Sequence, residues 1–251
     1  MKKLMAANWK MFKTGDEAHT TAGELVRRLE GLLPKDREVL IIPPFTALTR
    51  VRDAISKTPG VFLGAQNFYP ADQGAYTGEI APKMLLDAGC VFALAGHSER
   101  RHILGESSGF VGQKVAFGLS SGLKMILCVG EKLEERKSGN VEKILKEQLE
   151  VGLKDVDQNV SAKDLSIAYE PVWAIGTGEV AGPEEIVHAH GFVRQILKQI
   201  FPDQGADIRI LYGGSVNPEN CAGIIALDNV EGVLVGGASL KADSFGSIVT
   251  A

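Results

Sequence analysis

The chain has 251 residues, of which 45% are hydrophobic and 23% are charged, and its formal net charge is −4. This composition is typical of a globular α/β protein, and the negative charge gives no basic field for nucleic acid or an anionic membrane. No apolar run approaches the roughly 20 residues that a membrane-spanning helix needs, and the apolar run near the N-terminus is too short for a signal peptide core.

Short apolar runs alternate with amphipathic stretches along the whole chain. Helical patterns include Glu17–Leu33, Val141–Leu153 and Glu184–Ile200, the last following a proline that favours a first helical turn. Eight other runs are almost continuously apolar, as expected of strands covered by helices on both faces. These runs are Leu4–Trp9, Glu38–Pro43, Val61–Ala65, Phe92–Ala95, Lys124–Val129, Leu165–Tyr169, Ile208–Tyr212 and Gly232–Val235.

The number of strand–helix units predicts the architecture. Eight units in a chain of about 250 residues match a closed (β/α)8 TIM barrel, which would make residues 1–251 one domain. An open doubly wound sheet is the alternative, but no glycine-rich dinucleotide fingerprint opens the first unit. In both folds ligands bind at the carboxyl ends of the strands, so polar residues there are candidates for function.

Polar residues follow the first and fourth strands. Lys10 lies just after an apolar strand, together with Asn8, and burying a lysine there is costly unless it faces an anion. The alternative is a surface lysine whose ammonium group reaches water. His97 follows a glycine after the fourth strand, where amides of the next turn can reach the ring and keep it neutral, as an electrophile. The alternative is a purely structural histidine.

The segment AYEPVWAIGTG, residues 168–178, follows the sixth strand. It places Glu170 at the strand end, with Pro171 stiffening the near end of a loop and Gly176 to Gly178 leaving the far end free. The pattern predicts a carboxylate base beneath a loop that can close over it and exclude water. The alternative is a glutamate that caps an ordinary strand–helix loop.

Glycine pairs follow the last two strands. Gly213-Gly214 precedes Ser215, and Gly236-Gly237 precedes a predicted last helix at Ser239–Val249. Glycine lets backbone N–H groups approach a ligand closely, and loops at these two positions of a barrel often bind phosphate. We therefore expect a phosphate site at this side of the strand ends.

The strand ends together carry a carboxylate, an imidazole, an amine, an amide and a phosphate site. No nucleophile–base pair stands out, and no His, Cys or Asp cluster has metal-ligand spacing. The set fits proton abstraction beside the carbonyl of a small phosphorylated sugar without cofactor or metal, with His97, Asn8 and Lys10 stabilising an enediolate. Three cysteines without disulfide or metal spacing predict a reducing compartment, the cytoplasm.

Nine motifs add a family resemblance. They are NWKM from Asn8, PPFTAL from Pro43, GAQN from Gly64, GAYTGEI from Gly74, GHSERR from Gly96, ILCVGE from Ile126, AYEPVWAIGTG from Ala168, YGGSV from Tyr212 and VGGASL from Val235. They occur in the order and at the spacing found in the triosephosphate isomerases, a family that the chain resembles over essentially its whole length.

The resemblance implies the interconversion of dihydroxyacetone phosphate and glyceraldehyde 3-phosphate in glycolysis and gluconeogenesis. By the matching positions, Glu170 would be the base and His97 the neutral acid. Lys10 would hold the substrate electrostatically, Asn8 would bind it, and Glu99 would support the site from behind. These roles are already established for the family and do not come from the spacing alone. The implied phosphate-binding residues are Gly176, Ser215, Gly236 and Gly237.

The resemblance also implies a homodimer. Residues Asn67–Glu79 match the family's dimer loop, with Thr77 reaching the active site of the second copy. Departures from the family pattern bear on stability, loop motion or dimer strength rather than on the reaction. They are Glu179, Ala81, Leu104, Val233 and His190-Gly191.

Two other functions remain open at this point. One is a different phosphate-binding barrel, such as another isomerase or an aldolase; a Schiff-base aldolase needs a lysine inside a late strand, and strands five to eight offer only Lys124 at a strand start. The other is a barrel that only binds a partner, which would be expected to have lost at least one of Asn8, Lys10, His97 and Glu170.

Overall fold

The computed structural model describes residues 2–174 and 181–251, in which eight parallel strands close into a barrel. Each strand pairs with the next in chain order, and the first pairs with the last. This closure confirms the barrel prediction over the open sheet. The strands are β1 (Lys3–Asn8), β2 (Arg37–Ile42), β3 (Val61–Ala65), β4 (Phe92–Ala95), β5 (Lys124–Val129), β6 (Leu165–Tyr169), β7 (Arg209–Tyr212) and β8 (Gly232–Val235).

Helices follow the strands and cover the outside of the barrel. Among the described residues, short 3₁₀ turns lie at Phe45–Ala47, Val172–Ala174 and Gly237–Leu240. No helix within the described ranges is long and apolar enough to cross a membrane. The α-helices are α1 (Gly15–Leu29), α2 (Leu48–Ile55), α3 (Pro82–Asp87), α4 (Ser98–His102), α5 (Ser108–Ser120), α6 (Leu133–Lys137), α7 (Val141–Leu153), α8 (Pro183–Ile200), α9 (Cys221–Ile225) and α10 (Ala242–Thr250).

The bounds of two predicted helices were wrong. The first helix ends at Leu29 rather than Leu33, because Gly31 takes the left-handed conformation, with φ +68°, that terminates helices. The predicted helix Ser239–Val249 is two elements. A 3₁₀ turn comes first, and Lys241 is extended (φ −117°, ψ 129°), so that α10 begins only after it.

The core has two layers, one inside the barrel and one between the barrel and its helices. In β1, Leu4 and Ala6 belong to the inner layer, whereas Met5 and Ala7 belong to the outer layer. Both faces of the strand are therefore buried, which explains the continuous apolar runs. Because side chains fill the interior, a ligand site can lie only at the ends of the strands.

His190 in α8 is a structural histidine, as predicted for the histidines within helical patterns. Its side chain is fully buried, its Nδ1 lies 2.8 Å from the carbonyl oxygen of Asn229, and its ring packs edge-on against Tyr169 at 5.8 Å. Burial lowers the pKa of His190 to about 4, with a smaller lowering from the charge of Arg194.

The low pKa of His190 predicts a loss of stability in acid. The unfolded chain binds a proton at His190 below about pH 6.5, whereas the folded chain does so only near pH 4. The free energy of unfolding should therefore fall as the pH drops from about 6.5 to 4, by at most about 1.4 kcal/mol per pH unit from this group. Denaturant titrations at several pH values between 4 and 8 would give the free energy of unfolding. This free energy should change less steeply with pH in His190→Gln than in the wild type. His188→Gln, two positions away on the exposed side of α8, is the control for the same substitution outside the core.

Candidate active site

A cavity of about 330 Å³ lies at the carboxyl ends of the strands. It is lined by most of the predicted site residues, which come from five different strand ends. Glu99 is not part of the lining and lies behind Lys10, and Gly176 is outside the described residues. The lining consists of Asn8, Lys10, His97, Glu170, Gly213, Gly214, Ser215, Val216, Asn217, Leu234, Gly236, Gly237 and Ala238.

Glu170 reaches the cavity directly from the end of β6. Its side chain is only 2% exposed, and its two carboxylate oxygens face different donors. Oε2 accepts a hydrogen bond from the backbone N–H of Ser98 at 2.9 Å, and Oε1 lies 3.0 Å from Nε2 of His97. A carboxylate has about four acceptor positions, so Glu170 keeps free lone pairs with which to take a proton.

Gly213 lines the cavity and lies against the side chain of Glu170. A Cβ at this position would lie 2.9 Å from Cγ of Glu170. The absent side chain therefore makes room for the carboxylate's stem, and close approach to a ligand is not needed to explain this glycine. By contrast, a Cβ on Gly237 would meet nothing within 4 Å, so this glycine borders open space in the cavity.

His97 caps the start of α4 and has a defined tautomer. Its Nδ1 accepts a hydrogen bond from the backbone N–H of Glu99 at 3.3 Å, so this nitrogen carries no proton. The proton of a neutral ring then resides on Nε2 and points to Glu170 at 3.0 Å. The hydrogen bond at Nδ1 leaves Nε2 as the donor of an uncharged ring.

Lys10 has a strained backbone, and Asn8 and Glu99 both hold it in place. Its φ is +51°, in the left-handed region that non-glycine residues rarely occupy, and such strain is often found at functional sites. The Lys10 N–H donates to Oδ1 of Asn8 at 3.0 Å, and its ammonium lies 2.6 Å from Oε1 of Glu99. Lys10 is therefore ion-paired at the cavity wall and is not the surface lysine of the alternative interpretation.

Gln66 is a site residue that the sequence analysis missed. Its amide donates to the carbonyl oxygens of Lys10 at 2.7 Å and of Ile42 at 3.2 Å, and so it holds the strained peptide in place. It comes immediately after β3. Applying the strand-end criterion to β3, as was done for β1, β4 and β6, would have identified it.

Glu131 is a second residue that sequence reasoning did not single out. It is completely buried, and its Oε1 accepts hydrogen bonds from the Tyr169 hydroxyl at 3.1 Å and from Nε1 of Trp173 at 2.9 Å. Arg136 also contacts this oxygen, at 3.2 Å, and pairs with Glu185. The network thus joins described residues on both sides of positions 175–180, at the ends of the predicted lid.

The proposed phosphate side contains a hydroxyl and two backbone turns. The Ser215 hydroxyl donates to the carbonyl oxygen of Ala174 at 2.8 Å. The turn that begins at Gly237 is held by the indole N–H of Trp9, which donates to the carbonyl oxygen of Ser239 at 3.0 Å. Within residues 2–174 and 181–251, no group of three His, Cys, Asp or Glu side chains could hold a metal ion.

Comparisons with known proteins agree with this geometry. The family model described as "Triosephosphate isomerase" matches residues 3–251. The triosephosphate isomerases of Nitratidesulfovibrio vulgaris (strain DP4) and Oleidesulfovibrio alaskensis are each 59% identical over 251 residues and cover 100% of both chains. The crystal structure of triosephosphate isomerase from Bartonella henselae is 38% identical, has a TM-score of 0.88, and covers 99% of this chain and 98% of that one.

Proposed function

Since the chain belongs to the triosephosphate isomerase family, we propose that its reaction takes place in the cavity at the strand ends, with Glu170 as the base and His97 as the neutral acid. The activity follows from family membership: the enzyme interconverts dihydroxyacetone phosphate and D-glyceraldehyde 3-phosphate, a step of glycolysis. The observation that carries the residue roles is the 3.0 Å contact between Nε2 of His97 and Oε1 of Glu170.

In the proposed mechanism Glu170 removes a proton from the carbon beside the substrate carbonyl. The Nε2–H of His97, which faces Glu170 in the free site, then donates to the substrate oxygen on which negative charge develops. Two further proton movements complete the aldose–ketose exchange without any net change in atoms. Glu170 returns its proton to the neighbouring carbon, and Nε2 of His97, having given its proton to the carbonyl oxygen, takes up the proton of the substrate hydroxyl that becomes the new carbonyl. A buried base with an adjacent neutral donor suits this chemistry. The proton that Glu170 takes from one carbon is the proton that it returns to the other, so no exchange with solvent is needed between the two transfers.

The remaining predicted residues are assigned to binding. Lys10 provides the positive charge that attracts the anionic substrate, Asn8 orients both Lys10 and the substrate, and Glu99 holds the ammonium at 2.6 Å. Ser215 and the backbone amides of Gly236 and Gly237 bind the phosphate, and Gly236 lies close to the ammonium group of Lys10. Gly176 would complete this set and lies outside the described residues.

The activity is tested by following glyceraldehyde 3-phosphate isomerisation in buffer with a chelator. A dehydrogenase that consumes the dihydroxyacetone phosphate reports on turnover. Fast turnover is expected, and persistence with chelator would show that the reaction needs no free metal. A folded sample without turnover would contradict the function and favour a barrel that only binds a ligand or a partner.

We further propose that two chains form a homodimer through the loop Asn67–Glu79. The loop protrudes, since residues 72–79 are all exposed, yet it is ordered internally. Its base is closed by the Tyr69 N–H, which donates to Ile80 O at 2.9 Å, and the rings of Tyr69 and Tyr76 stack at 4.2 Å. A rigid projection of this kind, with Thr77 at its exposed tip region, suits insertion into a second copy.

Exposed apolar side chains on the same side support the dimer and give a matched test. Leu104 is 62% exposed shortly after α4, whereas Leu32 is 64% exposed before β2, at the other end of the barrel. Leu104→Asp should weaken association by burying a charge, so that sedimentation velocity shows monomer at micromolar concentration. Leu32→Asp should sediment as the wild type does. A wild-type chain that sediments as monomer would contradict the dimer proposal.

Two broader expectations complete the proposal. Residues 1–251 are proposed to form one domain, which is supported by the pairing of β1 with β8 across the length of the chain. A cytoplasmic location is proposed because all three cysteines are free and buried, as suits a reducing compartment.

A further inference from the structure

Arg101 contacts the backbone on both sides of a gap behind the active site. The ladder between β4 and β5 ends at the pair Ala95 and Leu127. The guanidinium binds the next carbonyl of each strand: Nε donates to Gly96 O at 2.8 Å and Nη2 donates to Cys128 O at 3.2 Å. Arg101 therefore continues, through its side chain, a strand pairing that the backbone no longer makes.

The two carbonyl groups that Arg101 binds are close in the backbone to His97, the proposed acid, and to Glu170, the proposed base. Gly96 immediately precedes His97, and the backbone N–H of Arg101 also donates to His97 O at 3.1 Å. Cys128 immediately precedes Val129, whose carbonyl oxygen accepts the Glu170 N–H at 2.7 Å. A short hydrogen-bonded path through one guanidinium thus connects the backbones of His97 and Glu170.

The residues packed around Arg101 hold its guanidinium in one position. Gly96 has φ +73°, and a Cβ on it would lie 2.7 Å from Nη2 of Arg101, so the guanidinium occupies the space that a side chain would need. Nη1 donates to the Ser108 hydroxyl at 3.1 Å, which fixes the group from the far side. Within the described residues no carboxylate lies within 4 Å of this guanidinium, so its fixed contacts are to two carbonyls and a hydroxyl rather than to an ion-pair partner.

We propose that Arg101 is a positioning residue for the isomerase reaction, whose guanidinium holds the peptide of His97 and the end of β5 at the separation that sets the His97–Glu170 contact. This inference rests on the proposed roles of His97 and Glu170. Lysine cannot reproduce it, because a single ammonium group lacks the planar fork that binds two divergent carbonyls. Since a misplacement of about 1 Å caused by a remote substitution can cost roughly 10²-fold in rate, a loss in kcat is expected without a matching change in KM.

The test compares Arg101→Lys with Arg194→Lys. Arg194 is a matched control because its guanidinium also binds two carbonyl oxygens, those of Gly205 at 2.8 Å and Ile208 at 2.6 Å, but at the amino-terminal end of β7. We expect kcat to fall by about 10- to 100-fold for Arg101→Lys, with KM within about threefold of wild type, and to stay near wild type for Arg194→Lys. The NMR signal of the His97 Nε2 proton should shift in the first variant only.

Further variants distinguish a failure of the positioning role of Arg101 from a failure of the proposed active site. If Arg101→Lys does not fold, Ser108→Ala replaces it in the test. This variant removes one contact to the guanidinium and little else, so it should lower kcat by a smaller factor. Equal losses in Arg101→Lys and Arg194→Lys, or an unshifted His97 signal, would overturn the inference. If Glu170→Asp is severely impaired while Arg101→Lys and Ser108→Ala are not, the site assignment stands and only the positioning role fails.

Discussion

Replacing Glu170 with aspartate should lower kcat by about 100-fold or more while leaving the fold and substrate binding nearly unchanged. The substitution keeps the charge and withdraws the carboxylate by one methylene group. The withdrawn group loses the 3.0 Å contact to His97 and the 2.9 Å contact to the Ser98 N–H, and it lies farther from the substrate carbon. Steady-state kinetics with both triose phosphates, together with thermal unfolding, would measure the effect.

A matched control separates the shorter reach of the carboxylate from any general effect of the substitution. Glu38 is paired with Arg209 at 2.7 Å at the opposite end of the barrel, and Glu38→Asp makes the same one-methylene change there. It should leave kcat near the wild-type value. Near-normal turnover in Glu170→Asp would remove Glu170 from the role of base, whatever the stability of the variant.

The barrel could be predicted because each strand is buried on both faces. That burial makes the runs continuously apolar, so β3, β4, β5, β6 and β8 have the predicted bounds. Both ends of β1 and β2 lie one residue earlier than predicted, and β7 begins one residue later. Helix ends were less predictable. They depend on single backbone conformations, such as φ +68° at Gly31, which the amphipathic pattern does not encode.

Site residues could be predicted where their position at the end of a strand was enough to identify them. Asn8, Lys10, His97 and Glu170 were identified in this way, and the structure brings them to one cavity. What could not be predicted are the partnerships between distant segments. Local sequence carries no information that places Gln66 against the carbonyl of residue 10, or a guanidinium between β4 and β5.

The glycines after β7 show the same limit in a different form. Their pairing with the glycines after β8 suggested one shared role in binding phosphate. Gly213 instead leaves space for the side chain of Glu170, and a Cβ on Gly214 would lie 2.2 Å from the Tyr212 hydroxyl. A glycine in a sequence does not show what occupies the space beside it; only the folded contacts tell whether a ligand, the protein itself or open solvent lies there.

Replacing His97 with asparagine should lower kcat by about 10²- to 10³-fold, which is typical for removing one donor to a developing oxyanion. The structure makes this a selective change. An asparagine carbonyl at the Nδ1 position can still accept the Glu99 N–H that lies 3.3 Å away, so the start of α4 keeps its cap. What is lost is the donor at Nε2, 3.0 Å from Glu170.

The contrasting variant is His97→Gln, whose longer side chain carries an amide N–H to about the position of Nε2 and gives up the contact to Glu99. If catalysis depends on a neutral donor at that point, glutamine should retain more of kcat than asparagine, even though it caps α4 less well. The opposite order would mean that capping of the helix, rather than donation to the substrate oxygen, is the main contribution of His97. Measuring kcat and the thermal stability of both variants distinguishes the two roles, because the donor affects the rate and the cap affects the fold.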